Sequence, residues 1–192
     1  MGVLALASPD QREELAVRMA GARPELPAIG AAVKEALADG DVRATIRRAD
    51  AERRRIARAA ARSLHRRRVA TISNSALVAR ALVYGGPART QIVVAGSDDE
   101  GWSLAVDLRT AGLQVDVISL KQLDAELAVV GCEAVFSDGT FVARSGTRAL
   151  VELLPTLVLV DRWKRIDSMP PPNWPAPDRY EMVRGGDVRA PA

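Results

Sequence analysis

At 192 residues, 48% of them hydrophobic and 27% charged, the chain has room for one good core and an ordinary globular composition. No apolar run approaches the roughly 20 residues of a membrane helix, and MGVLALASPDQREEL lacks the basic start of a signal peptide, so a cytoplasmic protein with no membrane partner is expected. A single cysteine, Cys132, and a single histidine, His65, exclude an internal disulfide and a Cys/His zinc cluster; no metal and no cofactor is expected.

Residues 1–68 read as an N-terminal helical part. Pro9 and Asp10 open a helix carrying Leu15, Val17 and Met19, which Gly21 can close. Pro27 suits the first turn of a second helix, with Ile29, Val33, Ala36 and Leu37, ended by Asp39-Gly40. In a third, Val42, Ile46, Ala49, Ile56, Ala60 and Leu64 recur at helical spacing. Residues 41–68 also hold eleven arginines against Asp41, Asp50 and Glu52. We read these arginines as the solvated face of an amphipathic helix; nucleic-acid binding through 41–68 is the alternative.

Residues 69–167 read as a Rossmann-like α/β domain. Strands are expected at Val69–Ile72, Gln91–Ala95, Leu113–Ser119 and Thr156–Val160, with Leu127–Val130 and Ala134–Phe136 framing a further strand region. Helices are expected at Ser75–Val83, Trp102–Ala111 and Thr147–Leu154, while Lys121–Glu126 is too short for much of one. Continuous Val/Ile/Leu runs between helices are the pattern of a parallel sheet covered on both faces. The fold class is α/β: a Rossmann-like, doubly wound, mostly parallel sheet with a small N-terminal helical part. Residues 168–192 form a Pro-rich tail in which Trp174 could pack on the body like a peg. Tyr180–Val183 could add a last strand there, and Gly185–Ala192 is expected to be disordered.

The chain has no GxGxxG after its first strand, no GxxxxGK[ST] and no GxSxG, so dinucleotide, P-loop and Ser-hydrolase chemistry lack their usual frames. His65 sits in the Arg-rich helix and reads as a solvated residue, and Cys132 as a small buried side chain. Two stretches could carry chemistry. Thr71-Ile72-Ser73-Asn74-Ser75 runs from a strand's carboxyl end into a helix, where free N–H groups and hydroxyls suit an anion; a plain N-cap is the other reading. Gly131–Thr147 runs strand, Ser137-Asp138-Gly139 turn, strand, glycine, helix, with Glu133 and Arg144 flanking the turn and Gly146-Thr147 at a helix start. Arg144 would suit a phosphate there; a surface salt bridge and a helix cap are the alternative.

Several of these stretches, in order, resemble one superfamily. They are Ala22-Arg23-Pro24 with Pro27 and Ile29-Gly30, then Ala70–Ser75, and Glu100-Gly101 with Leu104, Leu108, Ala111-Gly112-Leu113 and Val115. Last come Gly131–Val135 with Asp138-Gly139, and Arg144–Thr147. The pattern is similar to the α, β and δ subunits of eukaryotic initiation factor 2B and their relatives methylthioribose-1-phosphate isomerase and ribose-1,5-bisphosphate isomerase, over most of residues 22–165. The resemblance implies that the isomerases' catalytic cysteine falls on Ser73, their aspartate on Glu133 and their Asn-Lys pair on Ala143-Arg144. It further implies a ligand, a phosphorylated sugar or nucleotide, held by Arg23, Asn74, Ser75, Arg144, Gly146 and Thr147, and a homodimer. A serine hydroxyl is far less acidic than a thiol and needs an adjacent base. The expected role is therefore binding or regulation, with an active aldose–ketose isomerase on a ribose-1-phosphate-type substrate as the alternative.

Overall fold

In the computed structural model, which describes residues 8–22, 26–94, 99–171 and 178–184, three helices precede the first strand: α1 (Pro9–Ala22), α2 (Pro27–Asp39) and α3 (Val42–Leu64). Pro27 occupies the first turn of α2, and Gly40 ends it in the left-handed conformation at φ +68°, its N–H returning to Leu37 O. Asp41 caps α3 by accepting from Ala44 N at 2.9 Å; that hydrogen bond holds its carboxyl below the usual range. Ala16, Val33, Ala36 and Val42 close a small core among the three helices. The apolar stripe of α3 is buried at Val42, Ala49, Ala57, Ala60 and Leu64, while Arg43, Arg47, Arg54, Arg55, Arg58 and Arg62 are exposed, as a solvated face requires.

The chain then alternates: β1 (Arg68–Ile72), α4 (Ala76–Gly85), β2 (Arg89–Val93), α5 (Asp99–Thr110), β3 (Val115–Ile118), β4 (Leu127–Gly131), β5 (Ala134–Val135), β6 (Phe141–Arg144), α6 (Thr147–Leu153), β7 (Thr156–Leu159) and β8 (Tyr180–Val183), with 3₁₀ turns at Leu120–Gln122 and Arg162–Lys164. Five strands form a parallel sheet in the order β3-β2-β1-β4-β7. Side chains alternate between its faces. Val69, Ile92, Leu127 and Val129 pack beneath α3, α4 and α5 through Leu64, Leu82, Leu104 and Leu108. Ala70, Ile72, Val93, Ala128 and Val130 point the other way, onto Leu150 and Val151 of α6 and onto Phe141 and Val183. Among the described residues no helix is long and apolar enough to cross a membrane.

Two expectations need correction. Leu127–Val130 and Ala134–Phe136 do not frame one strand region. β4 ends at Gly131, and β5 starts a second, antiparallel sheet of order β5-β6-β8 in which Tyr180–Val183 is the last strand. The β5–β6 hairpin turns at Ser137-Asp138-Gly139, with Gly139 at φ +81° and Asp138 accepting from Thr140 N at 2.9 Å and Thr140 Oγ1 at 3.0 Å. The second sheet strand begins earlier than Gln91, because Arg89 already pairs with Arg68. Arg23, Ala95, Trp174 and Gly185–Ala192, all carrying expectations above, lie outside the described residues.

Candidate functional site

From β1 the chain winds outward through β2 to β3, then returns to lay β4 on the other side of β1. The loops leaving the carboxyl ends of β1 and β4 therefore part in opposite directions, and in open α/β sheets that switch point is where a crevice opens. A cavity of about 560 Å³ lies there, lined by Ser73, Asn74 and Ser75 after β1 and by Gly131, Cys132 and Glu133 after β4. Arg144, at the end of β6, also lines it. The two stretches singled out in the sequence meet in one cleft.

Ser73 holds a positive φ of 63°, rare for a residue with a Cβ and a form of strain that recurs at functional sites. Ser75 is the N-cap of α4, yet its side chain accepts no capping hydrogen bond. The first turn of α4, at Ala76 and Leu77, thus borders the cavity without a side-chain cap on its N–H groups. Asn74 is exposed and reaches Ser103 Oγ at 3.5 Å. Gly131 has no room for a side chain: a Cβ there would lie 2.7 Å from Ser75 Oγ.

Cys132 is buried at 3% exposure, and desolvation pushes its thiol up to about 12. It is a packing residue of the sheet's second core. Glu133 follows it, half-buried, its carboxylate 3.5 Å from Lys164 Nζ, which also donates to Cys132 O. Gly146 and Thr147 do not join them. Neither lines the cavity, Thr147 is buried, and the next helical N–H, that of Arg148, is taken by Glu181 Oε1 at 2.8 Å.

Residues not singled out in the sequence complete the wall. Four bases and four carboxylates face the cavity as pairs: Arg80 with Asp50 at 2.8 Å, Arg53 with Asp161 at 2.9 Å, Arg144 with Glu100 at 3.2 Å, and Lys164 with Glu133. The hydrogen bond from Arg80 keeps Asp50 below the usual carboxylate range. Asp161 is the most buried, accepting from Trp163 N as well as from Arg53. The signal for Asp161 and Lys164 was available, since they stand just past the carboxyl end of β7, beside β4. Arg53 was hidden among eleven arginines. His65 lies just past α3 with Nδ1 3.0 Å from Gly85 O, and it does not line the cavity. Among the described residues no group of three or more His, Cys, Asp or Glu could hold a metal ion.

No protein-family model matches the chain, and no curated protein does. Solved structures do match. Translation initiation factor eIF-2B of Pyrococcus horikoshii OT3 superposes with a TM-score of 0.83 at 18% identity, over 97% of this chain and 82% of that one. The eIF2B delta subunit of Chaetomium thermophilum gives 0.70 at 20% identity, over 89% and 73%. The tetrameric eIF2B-beta2-delta2 complex from C. thermophilum gives 0.69 at 18%, over 95% and 74%. At these identities what is shared is the fold: this chain has the α/β architecture, with its helical N-terminal part, of the initiation factor 2B subunits.

Proposed function

We propose that the chain is an initiation factor 2B-like binding or regulatory module whose cleft takes a small phosphorylated ligand, a phosphosugar or a nucleotide. The observation that carries this reading is the cavity at the β1/β4 switch point, where the uncapped first turn of α4 and the Arg53, Arg80, Arg144 and Lys164 side chains border one space. A phosphate can accept from backbone N–H groups and from a guanidinium fork together.

Two features favour binding over isomerase chemistry. Ser73 stands where the resemblance puts a cysteine, and among the described residues no base hydrogen-bonds to its hydroxyl; the one thiol in the chain, Cys132, is buried and protonated. Glu133 stands where the resemblance puts an aspartate and is held by Lys164. Part of the same reading is self-association, supported by likeness to subunits of a tetrameric complex; sedimentation of the purified chain measures it.

The test is a thermal-shift series with ribose 1-phosphate, ribose 5-phosphate and AMP, run beside NMR detection of aldose–ketose conversion. Stabilisation by a phosphate ester that disappears in Arg144→Ala, without conversion, is the expected result. Conversion of a pentose phosphate that is lost in Glu133→Gln would replace this reading with the isomerase. No stabilisation by any ester would remove the ligand site.

A further inference from the structure

Between Glu52 and Asp98 the sequence holds ten arginines and no carboxylate. The fold packs the two helices of this stretch, the second half of α3 and all of α4, side by side over one face of the sheet. Carboxylates from elsewhere reach some of these arginines: Asp161 takes Arg53, Asp50 takes Arg54 and Arg80, Asp116 takes Arg89, and Asp124 and Glu126 take Arg68. Arg55, Arg58, Arg62 and Arg66 are exposed, and among the described residues no carboxylate pairs with them.

Arg55, Arg58 and Arg62 follow one another at intervals of three and four residues, so they share the outward side of α3, opposite Ala57, Ala60 and Leu64. Just past the end of α3, Arg66 is held at φ +57° by its N–H to Gly86 O at 3.4 Å, beside the end of α4. That neighbouring helix adds an aromatic: Tyr84 is 43% exposed, with the Arg58 guanidinium 5.6 Å from its ring centre. α3 runs away from the cleft, from Asp50 and Arg53 at the cavity toward the amino end of β1, so the stripe is separate from the ligand site.

We propose that this α3–α4 face binds the phosphodiester chain of nucleic acid, with Tyr84 giving it a preference for single strands. Arginines three and four apart on one helix side leave from Cβ atoms about 5–6 Å apart, and their guanidiniums present forks that match phosphate oxygens. Base stacking on an exposed aromatic needs an unpaired strand. A lipid surface fits less well. Membrane-lying helices bury an apolar face in the acyl boundary, and the apolar face of α3 is already spent against α4 and the sheet. Guanidiniums on phosphates fix a strand's position without reading its bases, so this face is expected to bind without sequence preference.

Fluorescence anisotropy of the full chain with labelled single-stranded RNA, single-stranded DNA and duplex DNA, from about 50 to about 200 mM salt, tests this. Expected is binding to single strands whose log K falls against log salt with a slope of roughly −2 to −3, for three or four phosphates neutralised. Arg58→Ala with Arg62→Ala should weaken binding about tenfold or more and flatten that slope. Tyr84→Ala should weaken single strands but not duplex. Lys34→Ala with Lys121→Ala, which removes equal charge from other exposed positions, should change little. All these side chains are exposed, and unchanged melting temperatures check that the variants fold. The proposal is overturned by absence of binding at the lowest salt, by equal loss in the two double variants, or by tighter binding to phosphatidylserine vesicles than to any strand. Because Arg144→Ala leaves this face intact, failure here and failure of the ligand site are read separately.

Discussion

Gly131 ends β4 with its Cα against the side chain of Ser75, and a methyl group there would meet Ser75 Oγ at 2.7 Å and Ser75 Cβ at 3.0 Å. Ser75 starts α4, so neither side can yield without moving the cleft floor. Gly131→Ala is expected to cost about 1–3 kcal/mol, read from the urea midpoint, and to weaken phosphate-ester binding as well. The adjacent Cys132 gives a second check. Its thiol is raised to about 12 by burial, so the folded state favours the neutral form. The stability this contributes is complete below the unfolded thiol's value of about 8.5. It is then lost as pH rises from there toward 12, at up to about 1.4 kcal/mol per pH unit. Urea midpoints between pH 8 and pH 10 should therefore fall more steeply for the native chain than for Cys132→Ala. In the same way, a thiol reagent at pH 8 should label Cys132 only once urea has unfolded the chain. Rapid labelling of the native protein would show that the thiol is accessible after all.

At the scale of elements, the helical part is fastened to the sheet's far end by the 3₁₀ turn after β7. Trp163 is buried at 8% exposure against Ala32 of α2 and Ala49 of α3, and its indole N–H donates to Glu35 at 2.6 Å. Arg53 and Arg162 lie over its ring at 5.4 and 5.8 Å, and Arg162 also reaches Glu35 and Glu52. Trp163→Ala should cost about 3–5 kcal/mol and make α2 the first site of limited proteolysis; Trp163→Phe should restore most of the packing but not the bond to Glu35. Trp163 was not picked from the sequence because it sits in a charged run, DRWKR, that reads as surface. The parallel strands were legible because burial on both faces writes itself as runs such as QIVV and TLVLV. The three-stranded sheet was legible as strands, at Ala134–Phe136, after the Ser137-Asp138-Gly139 turn and at Tyr180–Val183, but not as a sheet of its own. Ala134–Val135 is two residues long, too short for a period that would say which sheet it joins, and that sheet is completed by β8, far along the chain. Ser73 and Glu133 could be placed at one cleft only through the family resemblance, since nothing in their spacing says that β4 returns beside β1.

Over the whole molecule, the cleft is assembled from nearly every part of the fold: Asp50 and Arg53 from α3, Arg80 from α4, Glu100 from α5, Glu133 after β4, Arg144 from β6, and Asp161 and Lys164 after β7. Its bases and carboxylates balance, so an entering anion meets no net attraction from them and must compete for a base that already has a partner. Arg144 is the place to test this, because its side chain is only 18% exposed while its partner Glu100 is 46% exposed. Solvent screens the carboxylate, and exposed pairs of this kind are worth about 0.2–1 kcal/mol. Glu100→Gln removes the competitor and leaves the guanidinium in place, so affinity for a phosphate ester should rise by up to about fivefold. Arg144→Ala removes the charge-assisted hydrogen bonds themselves, about 1.5–3 kcal/mol, and affinity should fall about tenfold to a hundredfold. Calorimetric titration of both variants separates the cases. If Glu100→Gln binds more weakly than the native chain, Glu100 helps hold the ligand instead of competing with it, and the anion's seat has to be sought at Arg53, Arg80 or Lys164.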